Sequence, residues 1–520
     1  MKLIKQKDVA SLIKDGDMVA ISGSGGSGSP EALLKSISDS FVKTGHPKGI
    51  GVTCGISPGN LTEDEVGMNI LAKDGLISKA ICAHLGMGRL FGKMVGENKF
   101  PAFAIPLGVI NHLYRASAGK EVGIITHVGL DTCVDPRLDG GRANESAKKL
   151  DPIVEVINIA GKENLFYHTF PINVALIKAT YSDSKGNISF EEEGVIGEQY
   201  NMALAASNNG GIVIVEVKGI KENLKAKDVL IHGAYVDYVV ISKPNKKLGE
   251  YNLPIYDKSI TGEKKKKLSI NNSKILDERK VCARRAAMEL RKGDVVNLGV
   301  GMPDGVSKVA LEEGILNDIY LSVETGPTGG SPVGGVVFGV SRNADSIIPT
   351  SSQFDAYNGG SLDMAILGLA EVDEHGNVNV SKFGTRVTGP GGFINITQST
   401  HKVIFIGTFM AGNLEEEIKN RELLIKKEGE KIKFKNEIGQ ITFSAKQALK
   451  NNQEVLYITE RCVFELTKEG LILTEIAPGI DLDKDILNHM EFKPIISSKL
   501  KEMDKSIYTD SLMDLKKIFY

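Results

Sequence analysis

Cysteine is scarce and scattered in this chain: Cys54, Cys82, Cys133, Cys282 and Cys462 are all there are in 520 residues, and no two form a CxxC pair. An odd, dispersed set fits neither a disulfide scaffold nor a structural zinc site, and predicts reduced thiols in a cytoplasmic protein. Long apolar runs are missing too. No stretch approaches the roughly 20 residues that cross a bilayer. The opening "MKLIKQKDVASLIKDGD" carries charges where a signal peptide would have an apolar core. An excess of either charge is lacking: the formal net charge is −2, so no long-range field favours nucleic acid or an anionic membrane. HExxH, the Walker loop GxxxxGK(S/T) and the GxSxG elbow are absent, and the histidines form no cluster at ligand spacing. No metal is expected, and neither a P-loop nor a serine hydrolase elbow is present.

What is present is length, glycine and repetition. A chain of 520 residues exceeds one ordinary core, so at least two domains are expected. "KDGDMVAISGSG" from Lys14 is matched by "RKGDVVNLGVGM" from Arg291, and "ALIKATYSDSKGNISF" from Ala175 by "AILGLAEVDEHGNVNV" from Ala365. The second pair keeps a constant offset of 190 residues, joining Asp183 to Asp373, Asn187 to Asn377, Gly194 to Gly384 and Val213 to Val403. That spacing is too wide for a solenoid and predicts one domain used twice. "TGEKKKKLSINNSKILDERK" loses apolar periodicity and reads as a solvated linker near 258–272. The domains are therefore placed at 1–270 and 273–520. Runs such as "GIVIVEV", "DYVVIS", "HKVIFIG" and "DVVNLGV" alternate with helical segments such as "ERKVCARRAAMELRKG" and "ESAKKLDPIVEVI". Continuous apolar strands separated by helices predict an α/β fold with mainly parallel sheets covered on both faces. "KEGEKIKFKNEIGQITF" reads as a polar hairpin insertion.

Gly23 to Gly28 formally satisfy GxGxxG between a strand and a helix, the setting of a dinucleotide fingerprint. The acid that should hold the ribose about 20 residues on is missing: after "IGVTC" none occurs until Glu63. The nicotinamide reading is therefore set aside, while a phosphate or pyrophosphate at this helix start, as coenzyme A would bring, is retained. His84 ends the apolar run "AICAHLGMG" and is assigned a structural or hydrogen-bonding role. "GPGGF", Gly389 to Phe393, either brings bare amides to a ligand or is a plain turn.

"LSVETGPTGG" places a single acid, Glu324, between a strand-like run and a glycine-rich bend. Most glutamates are solvated. This one stands at a predicted strand end, where open α/β sheets bind ligands, beside glycines that let large groups approach closely. "VETGPTGG", "QFDAYNGGSLDMAILG", "GPGGFINITQSTHKVIF" and "ITERCVFELTKEGLILTEIAPGIDL" resemble the family I coenzyme A-transferases. The similarity is greatest to the fused single-chain branch that includes propionate, acetate and acyl-CoA:acetate/3-ketoacid CoA-transferases. "IPLGVINHLYRASAGKEVG" and "THVGLDTCVDPRLDGGRAN" carry the likeness through the first half.

The resemblance implies a catalytic glutamate at Glu324, coenzyme A as co-substrate with no permanently bound cofactor, and acyl-CoA and short-chain carboxylates as partners. It also implies a homo-oligomer, dimer or tetramer. Two departures stand out. The catalytic turn is Val323-Glu324-Thr325-Gly326 where many relatives have Ser-Glu-Asn-Gly, and Leu107 stands where several have Gln, so backbone donors must carry more of the oxyanion site.

A carboxylate with a reference pKa of ~4.3 is ionised at neutral pH and needs no activating base. It would attack the thioester to give an acyl-glutamyl anhydride and then a glutamyl-CoA thioester. The amides of Gly391 and Gly392 are the candidate oxyanion donors, and Gly25, Gly26, Gly28 and Gly389 are candidate CoA contacts. The competing readings are an acyl-CoA hydrolase using the same glutamate and a non-catalytic CoA- or nucleotide-binding protein.

Overall fold

The β-branched runs fold as the strands they predict. The computed structural model describes residues 1–61, 64–243, 256–268 and 276–519. Met18–Ile21, Ile50–Ile56, Val174–Lys178, Ile212–Val217 and Tyr238–Ile241 lie in an eight-stranded sheet, and its pairings are parallel. Val295–Leu298, Tyr320–Ser322, Met364–Gly368, Lys402–Ile406 and Glu454–Ile458 form the parallel centre of a ten-stranded sheet. Its margins turn antiparallel, except for the outermost pair Gly470–Ile476 and Ile495–Glu502, which is parallel.

The five central strands follow one order in both sheets. Across the first they begin at residues 238, 212, 174, 18 and 50, and across the second at 454, 402, 364, 295 and 320. The turn after the third of these is repeated in detail. Asn187 donates its backbone N–H to Asp183 Oδ1 and its Nδ2 to Oδ2, both at 2.8 Å, and Asn377 does the same to Asp373 at the same distances. The Asp side chain stands in for a backbone acceptor in the turn, which gives the shared letters a structural job.

Alternation along each strand feeds separate cores. Val174 and Leu176 face an outer core of the first half, while Ala175 and Ile177 face a central one. In the second half Ile404 and Ile406 face another outer core, and Val403 and Phe405 the same central one. The two halves therefore share their middle. Helix Leu107–Ala118 of the first half packs there against helix Thr350–Asn358 of the second.

Three local expectations are corrected. "ESAKKLDPIVEVI" is not a helix: Pro152 ends the turn at Ala147–Lys149, and Val154–Ile159 pairs antiparallel with Lys162–His168. The polar hairpin comes earlier, Glu415–Lys419 with Glu422–Lys427, because Phe434 is drawn fully into the central core. The linker is solvated only in part. Lys264 to Lys267 are exposed, but Ser259 and Ile260 are buried, Asp257 pairs with Arg342 at 2.5 Å, and Asn343 donates its N–H to the Ser259 carbonyl. Residues 269–275, with the boundary placed near 270, lie outside the described residues. Among the described residues no helix is long and apolar enough to cross a membrane, and the five cysteines are free and buried.

Candidate active site

Glu324 follows the strand Tyr320–Ser322 directly, in a tight turn where Gly326 N–H donates to the Val323 carbonyl and Val323 N–H to that of Pro327. The strand end beneath it is clamped. Ser322 Oγ meets the Tyr357 hydroxyl at 2.8 Å and accepts from Gln353 Nε2 at 3.0 Å, while Asn297 Nδ2 donates to the Ser322 carbonyl. The Glu324 side chain is buried, and among the described residues its carboxylate accepts no hydrogen bond. With nothing to compensate, burial pushes its carboxyl from 4.5 to about 7. This corrects the expectation of a group already fully ionised at neutral pH.

The glycines beside Glu324 do not make room for a ligand. Side chains at Gly326 and Gly330 would run into the backbone at Ile348 and Arg342, and one at Gly329 would meet Asp345. All three have positive φ and seat the returning segment 341–348 against the turn. The bare backbone facing the carboxylate comes from far along the chain: a methyl group on Gly392 would collide with Glu324 Oε2.

The loop bearing Gly392 is docked on the first half. Leu85 N–H donates to the Thr388 carbonyl, Leu107 N–H to that of Gly391, and Gly391 N–H to that of Ala83. Gly108 N–H reaches Asn395 Oδ1 at 3.0 Å. The pair of oxyanion donors is thereby reduced. The Gly391 amide is spent on Ala83 at 2.9 Å and that of Leu107 on Gly391, whereas Gly392 N–H donates to nothing among the described residues. Gly389 packs against the Ala83 carbonyl, where a Cβ would come within 2.5 Å, and does not line the pocket beside Thr325. His84 accepts from Gly86 N–H through Nδ1, which leaves its proton on Nε2. Burial, with the Arg386 charge adding to it, lowers its imidazole to about 4, so it stands neutral beside Gly391.

The other wall is the first glycine turn. Ser24 and Ser27 exchange backbone hydrogen bonds, closing a turn in which Gly25 and Gly28 have φ of 54° and 68°. The N–H groups of Gly25, Gly26 and Gly28 donate to nothing among the described residues. The helix start behind them, Glu31–Thr44, is already filled: the buried Glu216 carboxylate accepts from Ala32 N–H at 2.8 Å and Leu33 N–H at 3.4 Å. A phosphate placed there would meet a resident carboxylate. This removes the expected helix-start phosphate site and, with it, the dinucleotide setting.

Between this turn and Thr325 lies a narrow pocket of about 10 Å³, room for about one water molecule, which Leu107, Glu198 and Gln199 also line. Glu198 was not singled out from the sequence. Its local pattern, "GVIGEQY", sets an acid at the edge of an apolar segment as "LSVETG" does for Glu324, but with the glycine before the acid instead of after it.

Known proteins resemble this chain along nearly its whole length. A family model described as coenzyme A transferase matches residues 3–242. The caffeate CoA-transferase of Acetobacterium woodii is 47% identical over 516 residues, covering 98% of both chains. The acetate CoA-transferase YdiF of Escherichia coli K12 is 40% identical over 98% of this chain and 96% of its own. The crystal structure of the E. coli O157:H7 acyl-CoA transferase YdiF apoenzyme superposes with a TM-score of 0.92 at 38% identity, over 98% of this chain and 97% of that one. A thioester complex of YdiF with CoA superposes equally well.

Proposed function

The chain belongs to the family I coenzyme A-transferases, which move CoA from an acyl-CoA to a free carboxylate, and we propose that it does so on short acids through covalent intermediates on Glu324. The observation that carries this reading is a buried carboxylate with no hydrogen-bond partner among the described residues, facing the bare Gly392 backbone where the two halves meet. Such a group lacks the solvation that blunts a carboxylate in water, and one free amide stands beside it.

A Glu324 carboxylate oxygen attacks the thioester carbonyl carbon. The C–S bond breaks, CoA leaves as thiolate, and an acyl-glutamyl anhydride remains. The thiolate then attacks Glu324 Cδ, the C–O bond breaks, and the donor acid departs, leaving a glutamyl-CoA thioester. The acceptor carboxylate attacks the same carbon and the sequence runs in reverse. Each step passes through a tetrahedral oxyanion, which a preorganised N–H such as that of Gly392 stabilises by roughly 3 kcal/mol.

The test is direct. Incubation with an acyl-CoA should give a hydroxylamine-labile CoA adduct on the peptide containing Glu324, with ping-pong kinetics. Glu324→Ala should abolish both, and full turnover in that variant would overturn the mechanism. Free thiol release that ignores added acetate would mark a hydrolase instead. The nucleophile is the ionised form and its carboxyl lies at about 7, so activity should rise with pH through that value. kcat/KM at pH 6 is expected about tenfold below its alkaline plateau.

A further inference from the structure

No hydrogen bond to the Glu324 carboxylate fixes its direction among the described residues, so the side chain points where the backbone beneath it is held. Both sides of that backbone are gripped by one helix, Thr350–Asn358. Thr350 Oγ1 donates to the Thr325 carbonyl at 3.0 Å. Three residues on, Gln353 Nε2 donates to Ser322 Oγ at 3.0 Å, and four further on the Tyr357 hydroxyl meets the same oxygen at 2.8 Å. Side chains three and four apart on a helix share a face. One face of this helix therefore holds the turn immediately after the nucleophile and again two residues before it.

The grip is buried and uncharged. Asn297 Nδ2 donates to the Ser322 carbonyl at 3.0 Å and to the Tyr357 hydroxyl at 3.3 Å. With its oxygen accepting from Asn297, Tyr357 has its own proton to give to Ser322 Oγ. Burial raises the Tyr357 hydroxyl well above its usual range, and the Glu324 charge acts in the same direction, so Tyr357 stays neutral where Glu324 ionises. The same helix is tied to the first half. Thr350 N–H donates to the Gly197 carbonyl, Asn201 Nδ2 donates to Ser351 Oγ at 3.2 Å, and His112 Nε2 meets the Ser351 carbonyl at 3.1 Å. That half also carries the bed of the Gly392 loop, at Ala83, Leu85 and Leu107. The helix thus refers the nucleophile to the surface on which its facing amide is seated.

We propose that Thr350 and Tyr357 are positioning residues, whose hydroxyls hold Thr325 and Ser322 so that Glu324 stands against Gly392 for attack. The proposal rests on the CoA-transfer reading above. Misplacing a reacting group by about 1 Å can cost about 100-fold in rate. Loosening one side of the turn while the other still holds should cost less, about tenfold.

The experiment measures kcat for propionyl-CoA with acetate, and the Kd of free CoA, in the parent protein and in Tyr357→Phe, Thr350→Val and Thr350→Ser. The first two remove a hydroxyl and keep the shape. Each should lower kcat about tenfold and leave CoA binding within twofold of the parent's. Thr350→Ser keeps the hydroxyl and should stay within threefold in kcat. Ser322→Ala should lose as much as Tyr357→Phe, and the two together no more than either, because both break one contact. A folded Tyr357→Phe or Thr350→Val within threefold of the parent's kcat would overturn the role of that residue. The two lie on opposite sides of the turn, so each decides if the other does not fold. Multiplying losses in the Tyr357→Phe/Ser322→Ala pair, or CoA binding weakened tenfold, would mark a general distortion of the cleft and overturn the proposal. A parent that forms no Glu324 adduct would strike the covalent reading and this proposal with it. A parent that forms one, beside variants that turn over unslowed, would strike this proposal alone.

Discussion

At the residue scale, the site depends on one missing side chain more than on any present. Gly392 has φ of −82°, a conformation open to any residue, so its lack of a side chain is not a matter of backbone strain. Its Cα faces the far end of Glu324, and that end can rotate away. Gly392→Ala should therefore leave the urea midpoint nearly unchanged while lowering transfer by about 100-fold, the scale of a misplaced reacting group. A variant with full activity would place the nucleophile elsewhere. Gly326 differs: its φ is +125° and the obstacle is the Ile348 carbonyl, so a side chain there would damage the fold itself.

At the scale of elements, the first glycine loop has the letters of a phosphate-binding turn but a different outcome. Glu216, at the end of the strand Ile212–Val217, reaches across to cap the helix Glu31–Thr44, and Ser242 Oγ donates to its other oxygen at 2.5 Å. Removing that carboxylate strands buried N–H groups. Glu216→Ala should cost roughly 2 kcal/mol by urea unfolding, and sulfate should restore part of the loss by occupying the vacated helix start. Equal stability would show that the cap contributes nothing. The linker acts as an element too, since Asp257 to Ser259 hold Arg342 and Asn343 and so brace the segment that returns to the catalytic turn.

At the scale of the whole molecule, the two halves are joined through a shared central core and a seam made of backbone. One unfolding transition is expected, and two separated transitions would contradict a shared core. Gly108 sits at a tight point, where a Cβ would come 2.5 Å from Asn395 Nδ2 and 2.8 Å from the Phe354 ring. Gly108→Ala should destabilise by about 1–3 kcal/mol and slow transfer, because it displaces the seam that sets Gly392 against Glu324. Arg115→Ala breaks a half-exposed pair with Asp355. It should cost less than about 1 kcal/mol and leave the rate close to the parent's.

Much of this was readable in the letters. Alternation and β-branched runs declare strands whatever their surroundings, because the requirement to bury apolar surface acts locally. The duplication was visible as a repeated offset, and Glu324 as an acid set alone in a motif shared with a known family. Pairings between distant segments were not readable: Gly392 against Glu324, Gly391 closed off by Ala83, and Glu216 filling the helix start. Each depends on how a loop of one half lands on the other, and neighbouring residues carry no record of that. The same holds for the carboxyl near 7, since its cause is burial by residues hundreds of positions away, and solvation is a property of the folded interior, not of the chain order.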